Sequence, residues 1–173
     1  HAFADLETLW RDTLARNPAA WMAHNNLAGL LATTGREDEA IPYVREAIRL
    51  KPDHAGAHDN LGRLLARKGR IDEAIAHLRE AVRLDPVAPG PRFALARTLE
   101  HAGNVEEAIA RYLEGLSLAP RDAEAHYDVG TLLARSGRLE EALPHLETAV
   151  RLRPDFEKAR RNLALARSLL GKR

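Results

Sequence analysis

Cysteine is absent from the 173 residues, which rules out disulfides and thiolate metal sites but does not by itself fix a compartment. Aromatic residues are scarce, at 5%, so the 45% apolar content is carried mainly by small and aliphatic side chains such as alanine and leucine. With 29% charged residues as well, the composition suits packed helices and not a disordered chain. Net charge is only +1, which leaves no global field to draw the chain to nucleic acid or to an anionic membrane surface. No apolar run approaches the roughly 18 residues of a bilayer span. The N-terminus also lacks the basic segment and apolar core of a secretory signal. His1 is set aside as a tag-like residue.

Proline and glycine are few, yet they keep strict time. Pro18, Pro52, Pro86, Pro120 and Pro154 recur every 34 residues, and Gly35, Gly69, Gly103, Gly137 and Gly171 keep the same interval. A period of this length marks stacked repeats. The prolines define four complete units, 21–54, 55–88, 89–122 and 123–156; residues 1–20 match the second half of a unit and 157–173 the first half of another.

Each position in the unit has a physical reason. Leu61, Gly62 and Leu65 lie on one helical face, and Leu27/Ala28/Leu31, Leu95/Ala96/Leu99 and Val129/Gly130/Leu133 repeat the pattern. The small residue lets a second helix approach closely. Gly69 and its equivalents follow the last periodic residue, where a left-handed C-cap favours glycine. Acidic pairs such as Asp72-Glu73 and Glu140-Glu141 open the second helices, and Arg49, Arg83 and Arg151 sit in their last turns, so both ends complement the helix dipole. Pro89 and Pro91 fall at a helix start, where a missing N–H is harmless, while Pro42 and Pro144 are expected near the first turn of second helices. Because such a unit buries area mainly against its neighbours, it must stack.

The run His58-x-x-Leu61-Gly62-x-x-Leu65, then Ala74-x-x-x-Leu78 and Pro86, resembles the tetratricopeptide repeat (TPR) family over essentially the whole chain. The resemblance implies an all-α fold: a right-handed α-solenoid of antiparallel helix pairs, a TPR superhelix, forming one domain over 1–173. Arg167 replaces the leucine of the other units, so 157–173 reads as a capping helix. At the other end, Phe3, Leu6, Leu9, Trp10 and Leu14 lie at helical spacing without a first helix of their own. Either this helix closes the stack unaided or the chain is part of a longer parent. Thr8 to Asp12 and Asn17 to Leu27 resemble the start of C-terminal TPR domains in bacterial multi-span membrane proteins of the glycosyltransferase-like, transmembrane-and-TPR type. That likeness implies a soluble module attached to a membrane-anchored parent.

In TPR proteins the exposed face of the first helices lines a concave groove, so the resemblance implies a ligand surface there. In the first half of the chain this face carries Asn25, Asn26, Asp59, Asn60, Arg63 and Arg67. In the second half it carries Phe93, Arg97, His101, Tyr127, Asp128 and Arg135, with Glu100, Glu124 and Asn162 beside them. Asn26, Asn60 and Asn162 share one offset and resemble the asparagine ladder of O-GlcNAc transferase, which implies grip on a peptide main chain. Ala94 and Asp128 interrupt that ladder, and hydrogen bonding within the stack explains the same residues. Arg63, Arg67 and Arg97 suit an acidic segment, or else pair with Asp59 and Glu100 on a solvated face. Phe93 and Tyr127 either clasp an apolar side chain or pack against neighbouring helices. Asn25 and Gly29 stand where the carboxylate-clamp TPR class needs Lys and Asn, which excludes that class.

Eight histidines raise the question of metal. His54 and His58 are four apart, but no further ligand is placed obviously beside them. His24, His58 and His126 share an offset where TPR units place a large residue, which favours packing over coordination. No phosphate loop, nucleophile elbow or catalytic pairing occurs, so neither an enzyme nor a cofactor is expected. The sequence therefore points to a protein- or peptide-binding scaffold, with no nucleic-acid partner and no membrane insertion. The alternative is a structural spacer or self-association module using the N-terminal helix face.

Overall fold

The computed structural model describes residues 2–171, without the side chains of residues 2–4; His1 and the Phe3 side chain lie outside the described residues. The described residues form ten α-helices and no strand. They divide between two compact units, 1–86 and 87–173.

The first unit holds α1 (Ala2–Arg16), α2 (Trp21–Thr33), α3 (Glu37–Leu50), α4 (Ala55–Arg67) and α5 (Ile71–Leu84). Helices α2 and α3 pair, as do α4 and α5, and α1 packs on α2. The second unit holds α6 (Pro89–His101), α7 (Val105–Leu118), α8 (Ala123–Arg135), α9 (Leu139–Leu152) and α10 (Glu157–Leu170). Here α6 pairs with α7 and α8 with α9, and α10 packs on α9.

The turn inside each pair follows from the glycine. Gly69 takes φ +75°, a left-handed conformation that a side chain disfavours. It lets the Arg70 N–H reach Leu65 O at 2.9 Å and its own N–H reach Ala66 O at 3.0 Å, the two bonds that satisfy a helix's last carbonyls. Gly35, Gly103 and Gly137 repeat the conformation, but Gly171 has φ −71°. The chain leaves each second helix through an extended residue before the proline, such as Asp85 with φ −129° and ψ 87°, because a residue preceding proline avoids the helical region.

The face at i, i+1, i+4 is the core. Leu27, Ala28 and Leu31 are wholly buried, as are Leu65 and Ala96, and Leu61 is 2% exposed. Close approach is built into two pairs: a Cβ added to Gly62 would lie 2.6 Å from Leu78 Cγ, and one on Gly130 2.9 Å from Leu146 Cγ. Where alanine takes that glycine's place, the register puts Val44 at the Leu78 position in the repeat of Ala28 and the larger Tyr112 there in the repeat of Ala96, both wholly buried. Pro42 and Pro144 sit deeper than the first turn, at the sixth residue of α3 and α9, and each deletes one N–H from the helix ladder.

Candidate functional site

The first helices of the pairs carry the polar offsets. In the first unit, Asn60 Nδ2 on α4 donates to Asn25 Oδ1 on α2 at 3.0 Å. Arg63 Nε bonds Asp59 Oδ2 at 2.8 Å. Arg67 pairs with Glu37 at the start of α3 and donates to Ala32 O at 3.4 Å. Between α2 and α4 lies a depression of about 390 Å³ lined by Ala28, Gly29, Ala32, Thr33, Asn60, Arg63, Leu64 and Arg67. A neighbouring depression of about 360 Å³ brings Asn25 and Asn26 together with Leu6 and Trp10 of α1. Helix α1 is fastened through charges that span 29 and 32 residues: Arg36 Nη1 to Glu7 Oε2 at 2.8 Å, and Arg11 Nη1 to the Tyr43 hydroxyl at 3.0 Å. No periodicity announced these two bonds.

In the second unit, Arg97, Glu100, His101, Tyr112, Asp128 and Arg135 line a polar depression of about 350 Å³. Arg135 pairs with Glu100 at 2.8 Å, and Arg97 reaches Asp128 at 4.0 Å. The Tyr112 hydroxyl donates to Asp128 Oδ2 at 3.3 Å. Burial pushes the Asp128 carboxyl up to about 6, against the opposing pull of Arg97 and of the Tyr112 hydrogen bond. Burial also raises the Tyr112 phenol, with Asp128 next in effect. Tyr112 lies on a second helix, outside the residues that the groove expectation considered.

Of the two alternatives for Phe93, packing against a neighbouring helix is the one observed. Phe93 is 8% exposed and lies against Gly115, where an added Cβ would fall inside the contact distance of its ring. The sequence carries a signal for this: Gly115 stands where the other second helices have Ala47, Ala81 and Ala149, opposite the one unit with phenylalanine at that offset. Tyr127 is half-buried, its ring centroid 4.8 Å from that of Phe156, over which the Arg153 guanidinium sits at 3.6 Å. Asn162 Nδ2 donates to Thr131 Oγ1 at 2.9 Å. Asn60 and Asn162 thus use a carboxamide donor inside their own unit.

His54 is a helix cap. Its Nδ1 accepts from Ala57 N at 3.0 Å, and burial, followed by Lys51, lowers its basicity. His24, His58 and His126 each turn Nε2 to a proline carbonyl, of Pro18, Pro52 and Pro120 respectively, at 2.8, 3.0 and 3.2 Å. Among the described residues no three His, Cys, Asp or Glu side chains gather as a metal ion would require, and no helix is long and apolar enough to cross a membrane.

The sequence profile of the tetratricopeptide repeat matches residues 6–55, 38–89, 93–157 and 130–172. The chain belongs to the tetratricopeptide repeat family. Its TPR fold is shared with a crystal structure of MamA protein at 20% identity and TM-score 0.79, covering 91% of this chain and 86% of that one. A second MamA crystal structure gives 20% identity and TM-score 0.81 over 90% and 91% of the two chains. A structure of MamA AMB-1 gives 23% identity and TM-score 0.77 over 87% and 89%. At such identities the likeness is one of fold. Among curated proteins, none matches the chain. The TPR fold is a protein-interaction scaffold, and TPR domains bind polypeptide partners or self-associate.

Proposed function

We propose that this TPR chain holds an extended or helical polypeptide segment on the exposed faces of its first helices. The observation that supports the reading is the depression on α2 and α4. Its floor of Ala28, Gly29, Ala32 and Leu64 is apolar, with Arg63 and Arg67 at its edge. A Cβ added to Gly29 meets nothing within 4 Å, so the floor is open to an incoming side chain. The two guanidinium groups suit a carboxylate on the same segment. Both guanidinium groups stay part-exposed while bonded to the largely buried carboxylates of Asp59 and Glu37, and each carries five N–H donors, more than those bonds engage.

The test is capture of partners from source-cell extract with the wild-type chain, followed by peptide mapping and titration of the mapped peptide. Arg63→Gln combined with Arg67→Gln is expected to weaken that binding, with circular dichroism showing that the helical fold is retained. Equal binding by the variant removes the arginine patch from the site.

A second reading, self-association through α1, rests on Leu6 and Leu9, which are 43% and 52% exposed on one helix. Light scattering over a concentration series, with and without residues 1–20, separates the two; a strict monomer in both excludes self-association. The resemblance of the N-terminal junction to membrane-linked TPR domains supports a membrane-anchored parent as part of the same proposal.

A further inference from the structure

Two histidine pairs join the helices of alternate repeats, one pair in each unit. His58 Nδ1 on α4 lies 3.1 Å from His77 Nδ1 on α5, and His126 Nδ1 on α8 lies 3.1 Å from His145 Nδ1 on α9. Ring centroids are 5.3 and 5.2 Å apart, so the two pairs share one geometry. The proton positions follow from the partners. A carbonyl oxygen only accepts, so the contacts of His58 and His126 to Pro52 and Pro120 require Nε2–H on both rings. In the neutral ring Nδ1 is then a bare lone pair, and His77 and His145 must supply the Nδ1–H. A further proton is tolerated at the outer Nε2 of the second ring. A second proton between the facing Nδ1 atoms is not, because two N–H groups would point at each other across 3.1 Å.

We propose that each histidine pair is a single-proton latch between the two helices of its repeat, and that acid opens it, the His126–His145 latch before the His58–His77 one. The other repeats show what the same register does with different chemistry. In the first, Tyr43 faces His24 with centroids 5.9 Å apart, and no proton is contested. In the third, two permanent cations occupy the positions, Arg92 and Arg111, and both turn to Glu114, at 3.7 and 2.8 Å. A second positive charge in this register is therefore accommodated beside a carboxylate.

That carboxylate is what distinguishes the two latches. Glu80 stands in the place of Glu114 beside the first pair; its bond to Arg83 is the main cause that lowers its carboxyl, and the two histidines add to it in the same direction. Thr148 takes that place beside the second. Around the first pair, Arg45 on α3, His54 at the start of α4, and Glu73 and Glu80 on α5 also bear on it; Arg45 lies 3.8 Å from Glu73, and Glu73 is held by Arg70 at 2.6 Å as Glu141 is by Arg138 in the second unit. Around the second pair, Leu113 on α7 replaces Arg45, and the nearby charges have partners elsewhere: Arg111 with Glu114, Asp122 with Ala125 N, Glu141 with Arg138, and Glu147 with Arg167 of α10. Burial, then the facing ring, also lowers the basicity of both His77 and His145, so the tolerated proton at their outer Nε2 is itself held less readily than in the unfolded chain.

The unfolded chain binds the proton that the folded pair excludes, so stability is complete above the ordinary histidine range, about 6.5, and is lost as pH falls below it. Each excluded proton lowers the folding constant on the order of tenfold per pH unit in that window. The experiment has two arms on the full chain. Long-range proton–nitrogen NMR at pH 8 is expected to give the Nε2–H tautomer for His58 and His126 and the Nδ1–H tautomer for His77 and His145. Urea midpoints between pH 8 and 5 are expected to fall for wild type, less for His145→Tyr, which imports the first repeat's arrangement, with His77→Tyr giving the smaller relief. Parallel loss in wild type and the double tyrosine variant overturns the latch; equal relief by the two single variants overturns the ordering. Should the variants not fold, the tautomers decide: an Nδ1–H ring at His58 or His126 overturns it.

Discussion

Phe93 and Gly115 are fitted to each other: the ring on α6 occupies the space that a Cβ on α7 would need. Gly115→Ala is expected to cost about 1–3 kcal/mol, the range for overpacking a filled core, read from urea denaturation. In the Phe93→Leu background the same change should cost much less. Additive losses in the double variant would show that the two sites do not couple.

Gly62 bears the same relation to Leu78 across α4 and α5. Gly62→Ala should destabilise by about 1–3 kcal/mol, and Leu78→Val should recover part of that loss, because the register already pairs Ala28 with Val44 in the first repeat. Leu61→Ala at the same interface should cost about 2–5 kcal/mol. A wild-type melting curve for Leu61→Ala would remove that residue from the core.

Two glycines of one sequence period should respond oppositely. Gly69, at φ +75°, should lose about 1–2 kcal/mol on substitution by alanine. Gly171, at φ −71° with its nearest obstacle 3.5 Å away, should gain about 0.4–1 kcal/mol, because alanine narrows the unfolded ensemble. Equal losses at both sites would contradict the difference in backbone conformation.

Asp128 titrates in the direction opposite to the histidine latches. Its folded carboxyl, raised to about 6, holds a proton that the unfolded chain releases near 4. Its contribution is therefore most favourable below about 4, declines as pH rises towards 6 and is lost above that. Asp128→Asn should remove this dependence and stabilise the chain at pH 7–8 by on the order of 1–3 kcal/mol. Urea midpoints from pH 4 to 8 provide the measurement, and an Asn variant less stable than wild type at pH 8 would sink the claim.

Much of the architecture was legible because its causes are local. Gly69, Pro86 and the Leu61/Gly62/Leu65 face act through backbone conformation and helical periodicity, which neighbouring residues determine. The candidate site was legible only as a set of offsets. Phe93 shares an offset with Tyr127, yet one ring is buried over Gly115 and the other is half-buried against Phe156. The offset set a direction from the helix axis; the depth of the neighbouring helix surface did the rest. His58 and His126 were read as packing residues, but their partners His77 and His145 lie 19 residues on, beyond the reach of any single-helix pattern.

Order along the chain by itself determined the helices, their turns and the apolar stripe, since these follow from steric and periodic rules within a few residues. Only the tertiary structure decided which polar side chains are engaged inside a unit: Asn60 with Asn25, Asn162 with Thr131, Arg135 with Glu100 and Tyr112 with Asp128. A hydrogen bond or an ion pair depends on ångström-scale separation between helices, and packing, not residue type, sets that separation.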